Sequence, residues 1–145
     1  MRDGFCMTPP TDNNLTEARR WLRQAEEHLA VARWNGEGKY WAAGCFQAQQ
    51  AAELALKAVL IRAGERVILM HGVVALLKHV AAAHSTFGTL GGAARRLDRY
   101  YIGTRYPNGL ASGTAAENFD EEDFQTAVAA ATEVLSAARQ VVEQA

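Results

Sequence analysis

Proline is nearly absent from this chain: Pro9, Pro10 and Pro107 are the only three in 145 residues. Between Thr11 and Tyr106 nothing forbids a backbone N–H from joining a helix, so long helices can run uninterrupted. Cysteine is as scarce, with Cys6 and Cys45 alone. No Cys-x-x-Cys pair and no Cys/His cluster suggests zinc, and neither metal nor cofactor is expected. No window approaches the roughly eighteen apolar residues of a membrane span. The opening MRDGFCMTPPTDN lacks the apolar stretch of a signal peptide. The expectation is therefore a cytoplasmic protein in a reducing compartment, with no membrane partner. Neither sign of charge dominates; a net charge of −1 argues against a surface that is wholly a trap for nucleic acid. The glycines Gly88, Gly91 and Gly92 lack the Gly-Lys-Ser/Thr ending of a Walker loop. No internal repeat and no two-residue alternation occurs, so no strand is predicted.

Alanine is what the sequence has in abundance. It is the best helix former and has no side chain to hold neighbouring helices apart. A length of 145 residues, 49% hydrophobic and 21% charged, fits one domain with a sizeable core. Residues 1–13, with Gly4, two prolines and a polar run, read as a disordered arm, and 14–145 as the domain. Asn14 or Thr16 can cap a first helix. Its apolar face is Leu22, Ala25, Leu29 and Ala32, and the Asn35-Gly36-Glu37-Gly38 turn stops it near Trp34. A second helix, from about Tyr40 to Ala63, is apolar nearly all round and should be covered on most sides. A third runs from about Val73 to His84. A glycine-rich joint follows, then a short helix from about Ala93 to Tyr101. The Gly103–Asn118 stretch is long and polar, as functional loops are. The last helix starts near Asp120 with an acidic first turn, as the macrodipole prefers. The expected fold is all-α, an up-and-down bundle of four main helices plus a short extra one. The apolar girth of the second helix also predicts a twofold homodimer.

Some polar residues call for an explanation. Gln50, Glu53 and Lys57 form a stripe on the otherwise apolar second helix. Glu53 and Lys57 are four apart with the acid first, the favourable order for a helical ion pair. Unpaired polar groups inside a protein are costly, so the stripe either satisfies loop backbone or lines a cleft. Arg105 stands in the long loop among Tyr100, Tyr101 and Tyr106. Guanidinium forks suit phosphate and aromatic faces suit a base; alternatively Arg105 pairs with Glu53 and pins the loop. His71 begins the third helix, as a turn residue or as a proton-transfer partner. Two arginine clusters, Arg19/Arg20/Arg23 and Arg95/Arg96/Arg99/Arg105, would gain meaning if they converged on one cleft.

Four blocks carry a family likeness in order. Trp21-Leu22 with Ala25 and Leu29, the stretch AGCFQAQQAAELALKAVL from Ala43 to Leu60, His71 followed by Val74, Leu76 and Leu77, and LDRYYIGTRYP from Leu97 to Pro107 together resemble the prokaryotic HEPN family (higher eukaryotes and prokaryotes nucleotide-binding). The resemblance covers roughly Thr16 to Gln144. It implies a helical bundle, usually dimeric, with a nucleotide- or RNA-related role, often beside a minimal nucleotidyltransferase in a toxin–antitoxin pair. Other family members are ribonucleases that use an Arg, four to six residues, then His. Here Leu110, Ala111 and Ser112 stand where that His would follow Arg105, and the pair Arg66 and His71 has the spacing but not the place. The candidate nucleotide- or RNA-binding residues are Gln50, Glu53, Lys57, His71, Tyr101, Arg105 and Tyr106. A metal-independent ribonuclease toxin, with Arg105 on phosphate and His71 as acid–base group, is one alternative, and a non-enzymatic structural partner subunit is another.

Overall fold

Long alanine-rich segments separated by glycines become long helices. The computed structural model describes residues 12–66 and 68–144, and the expected N-terminal arm lies almost wholly outside them. Three long helices, α1 (Asp12–Glu37), α2 (Trp41–Arg62) and α6 (Glu121–Gln144), form the frame. Between α2 and α6 come two shorter helices, α3 (Val73–Ala81) and α4 (Gly91–Asp98), and the one-turn α5 (Ala115–Asn118). No strand occurs among the described residues. Side-chain contacts fix the directions. The start of α6 lies against the α1–α2 turn, where Phe124 meets Trp41 at 5.4 Å between centroids. Its end lies against the start of α1 through Arg19–Glu143, and against the end of α2 through Arg62 Nε donating to the Val142 carbonyl. So α1 and α2 are antiparallel, α6 runs parallel to α2, and α3 with α4 fills the remaining position of the bundle.

α2 is the central helix, as its composition requires. Sixteen of its 22 residues are buried, and α1, α3, α4 and α6 all contact it. One chain therefore covers α2 unaided, and the burial of this helix does not call for a second copy. Alanines make the close packing feasible; Ala48, Ala51, Ala52, Ala55 and Ala58 are fully buried. Two glycines go further. A Cβ at Gly36 would stand 2.4 Å from Phe124 Cζ, and one at Gly44 would stand 2.6 Å from Phe124 Cδ1 and 3.2 Å from the Ala32 carbonyl oxygen. Gly36 is thus a packing residue inside α1, and the left-handed residue that ends the helix is Lys39, at φ 63°. Gly44→Ala gains up to about 1 kcal/mol of helix propensity. It also overpacks a closed contact at a cost of about 1–3 kcal/mol. A net loss of stability is expected in urea unfolding, and a variant as stable as the parent would show that Phe124 moves aside freely.

The fine structure departs from the expected boundaries in three places. Asn14 is not a cap: α1 already begins at Asp12, and Asn14 is fully buried, accepting from the Arg66 guanidinium. Gly91 and Gly92 are not a joint but the first turn of α4, reached through a 3₁₀ turn at Ser85–Leu90 that seats Phe87 in the core. The long loop contains α5, where the Glu117 carboxylate accepts from the Thr114 N–H at 3.1 Å. No described helix is long and apolar enough to cross a membrane.

Candidate functional site

A stripe along α2 organises the site. Phe46, Gln50, Glu53 and Lys57 fall at i, i+4, i+7 and i+11, which is one face of a helix. Two clusters sit on it, one at each end.

At the C-terminal end, the Glu53 carboxylate lies 3.2 Å from Lys57 Nζ, with both side chains 8% exposed. The N–H of Gly72 donates to its other oxygen at 3.1 Å, and Gln49 Nε2 approaches that same oxygen at 3.5 Å. Burial alone pushes the Glu53 carboxyl up. The Gly72 hydrogen bond, the Lys57 charge and the Gln49 amide outweigh burial, so it titrates below the ordinary carboxylate range. His71 joins from outside: its Nδ1 is 3.3 Å from Lys57 Nζ and 3.6 Å from Glu53 Oε2, and its side chain is 67% exposed. When the ring is neutral, Nδ1 accepts from the ammonium, and the proton is left on Nε2 for solvent or ligand. The chain enters α3 here through Gly72 at φ 90°, a value that favours glycine. The first N–H groups of α3, those of Val73 and Val74, donate to the Asp98 carboxylate at 2.7 and 2.9 Å. Asp98 is a long-range helix cap and ties the end of α4 to the His71–Gly72 turn.

At the N-terminal end of the stripe lies Arg105. Its guanidinium carbon is 4.7 Å from the ring centre of Phe46, 4.5 Å from that of Tyr101 and 5.0 Å from that of Tyr106. Nε donates to the Tyr101 carbonyl at 3.0 Å. The rings hold the cation by its faces, and the rest of its donor fork bonds no other described residue. The structure therefore replaces the expected Arg105–Glu53 ion pair with an aromatic clamp. Seven residues separate Phe46 from Glu53 on α2, about 10 Å of rise; the loop lands too far up the helix for that pair to form, and Lys57 and Gly72 take the carboxylate. Gln50, half-buried between the two clusters, donates to Gln49 Oε1 at 2.7 Å. Tyr101 is half-buried beneath the clamp and Tyr106 is exposed at its rim.

The seven candidate residues thus share one face but not one point. Sequence reasoning missed Phe46 and Asp98. For Phe46 a signal existed, since it precedes Gln50 by one helical turn on the same face. For Asp98 there was none, because its partners lie 24 and 25 residues away. The two arginine clusters do not converge. Arg19 is paired with Glu143 at 2.6 Å and Arg20 with Glu17 at 2.8 Å, so two of the three arginines on α1 are neutralised, and the exposed Arg23 forms no ion pair with a described residue. Arg66 bonds Asn14 while His71 bonds the Glu53–Lys57 pair, so Arg66 and His71 serve different networks. Cys45 is fully buried, and burial together with Asp123 and Asp120 pushes its thiol up to about 12, which suits packing and not nucleophilic chemistry. No group of His, Cys, Asp and Glu able to hold a metal occurs among the described residues.

This architecture is shared. The chain aligns with the crystal structure of TT1696 from Thermus thermophilus at 35% identity and a TM-score of 0.79, over 86% of this chain and 97% of that one. It aligns with ST0689, an archaeal HEPN homologue, at 26% identity and a TM-score of 0.67, over the same shares of the two chains. No match is found among curated proteins. The model of the HEPN domain matches residues 18–141, a span that takes in both ends of the α2 stripe, the Asp98 cap and the Arg105 clamp, and the chain belongs to the HEPN domain family.

Proposed function

We propose that this chain is a cytoplasmic nucleotide- or RNA-binding module whose ligand docks on the α2 stripe beneath the Arg105 loop. The observation that carries the reading is the clamp itself. An arginine held on its faces by Phe46, Tyr101 and Tyr106, with the edge of its fork unused, is already oriented to receive phosphate. The half-exposed ring of Tyr106 beside it suits stacking on a base. His71, exposed at the other end of the same face, supplies a ring N–H, and the buried Lys57, paired with Glu53, holds its Nδ1.

The geometry favours binding over joint catalysis by Arg105 and His71. Eleven residues of α2 separate Phe46 from Lys57, about 16 Å of rise, whereas a ribonuclease would need both groups on one phosphate. A minimal nucleotidyltransferase as partner, and assembly as a homodimer, rest on family membership; Trp34 and Tyr40, 77% and 69% exposed, leave apolar surface that either could cover.

The reading is tested by thermal shift with nucleoside monophosphates, dinucleotides and short RNAs. A ligand that binds the native state raises the melting temperature by mass action, by an amount equivalent to about 2.7 kcal/mol at a hundredfold excess over Kd. A reproducible rise with phosphate-bearing ligands, and none with the matching nucleosides, is expected. No shift with any of them sinks the proposal and leaves a structural subunit.

A further inference from the structure

The near-zero net charge conceals a segregation of charge along the chain. Residues 66–116 hold six Lys and Arg, namely Arg66, Lys78, Arg95, Arg96, Arg99 and Arg105, against one acid, Asp98, so this segment carries +5 and the rest of the chain −6. The structure sharpens the contrast. Asp98 turns inward to cap α3, and its charge is met by backbone N–H groups instead of by an arginine. On α4, Ala93, Ala94 and Leu97 are buried, which leaves Arg95 and Arg96 on the outer face, and Arg99 follows as the C-cap residue; all three are exposed. None of the three forms an ion pair with a described residue, whereas Arg19, Arg20 and Arg139 on α1 and α6 each do.

Three exposed arginines without an ion pair, on one short helix and its C-cap, repel each other, and an opposite charge that bridges them relieves that repulsion. The helix is also well placed. Its end is tied by Asp98 to the turn that carries His71, and its continuation through Tyr101 leads into the Arg105 clamp.

We infer that the outer face of α4 is a second phosphate-contacting surface, and that the ligand is a single-stranded RNA segment running from the Arg105 clamp over Arg99, Arg95 and Arg96. This rests on the clamp reading and narrows it, because a mononucleotide held at Arg105 leaves the α4 face unused. A polymer suits the observations better than a lipid surface does. The exposed side of α4 offers arginines and glycines with no apolar residue to insert, and membrane-surface helices need both. The acidic remainder of the chain would orient an approaching strand toward this side.

The test uses the full chain, a fluorescein-labelled RNA of about 12 nucleotides and AMP, with affinity measured by anisotropy and by competition between about 50 and 200 mM salt. The parent should bind the RNA at least about tenfold more tightly than AMP, with a salt slope that reflects several phosphate contacts. The triple variant Arg95→Gln/Arg96→Gln/Arg99→Gln, whose folding is checked by circular dichroism, should lose at least about tenfold in RNA affinity and about 2 from the magnitude of the slope, yet keep its affinity for AMP. Unchanged RNA affinity and slope in that variant overturn the inference while the clamp stands. Loss of RNA binding in the triple variant, with none in Arg105→Ala, supports the α4 surface and sinks the clamp. Binding to phosphatidylserine vesicles through the same arginines, without RNA binding, overturns the inference in favour of a membrane.

Discussion

Glu53→Ala is expected to destabilise the fold by about 3–5 kcal/mol. The main cause is the charge that the substitution strands inside the protein. The Lys57 side chain is as buried as that of its partner, and with the carboxylate gone its ammonium keeps His71 Nδ1 as its one hydrogen-bond neighbour among the described residues. The Gly72 N–H and the Gln49 amide lose their acceptor in the same step. Losing an acceptor for the fully buried Gln49 amide and the half-buried Gly72 N–H makes up part of this total. A Glu53→Ala/Lys57→Met double variant should recover much of the loss, since an apolar pair of similar volume in place of a buried ion pair is often neutral.

The same site gives the acid limb of stability a defined source. The folded Glu53 carboxyl titrates below its unfolded value, because the Gly72 hydrogen bond and the Lys57 charge prevail over burial. Its contribution is therefore complete above the unfolded pKa of about 4.3 and is lost as pH falls through the folded value. Urea unfolding of the parent and of Glu53→Gln at neutral pH and near pH 3 checks this. The gap between them should be wide at neutral pH and narrow in acid; an equal gap at both would assign the stability to hydrogen bonds alone.

Much of this architecture was legible in the residues. Leu22, Ala25, Leu29 and Ala32 repeat at helical spacing and are buried, and so do Phe124, Ala127, Val128, Ala131, Leu135, Ala138 and Val142, of which all but the half-buried Val128 are buried. Local pattern fails where tertiary packing decides. Gly36 reads as part of a turn and Gly44 carries no signal of its own, yet they are where the Phe124 ring presses on two backbones. Gly91 and Gly92 read as a joint because glycine disfavours helix, but the penalty is only about 1 kcal/mol, and packing of Ala93, Ala94 and Leu97 into the core overrides it. In the site, the Gln50–Glu53–Lys57 stripe could be read from spacing alone, and so could the need for it to find partners. What spacing could not give is how far along α2 the Arg105 loop would land. It lands one turn before Gln50, where Phe46 offers a ring, and the expected ion pair becomes a stack.

The central claim is that Arg105 is pre-oriented to receive a phosphate-bearing ligand. Its side chain is exposed and makes no ion pair with a described residue, so its removal should leave stability within about 1 kcal/mol of the parent, the loss of stacking on three rings at a partly exposed site. Binding should respond far more. A charge-assisted hydrogen bond contributes on the order of 1.5–3 kcal/mol, which corresponds to at least about tenfold in affinity. Arg19→Ala is the matched control: it too removes one exposed arginine, but one already neutralised by Glu143. The deciding measurement is the affinity of parent, Arg105→Ala and Arg19→Ala for one short RNA, by fluorescence anisotropy at constant salt. A loss of at least about tenfold for Arg105→Ala, with Arg19→Ala within about twofold of the parent, is the predicted result; equal effects from the two variants would contradict it and reduce the site to general surface charge.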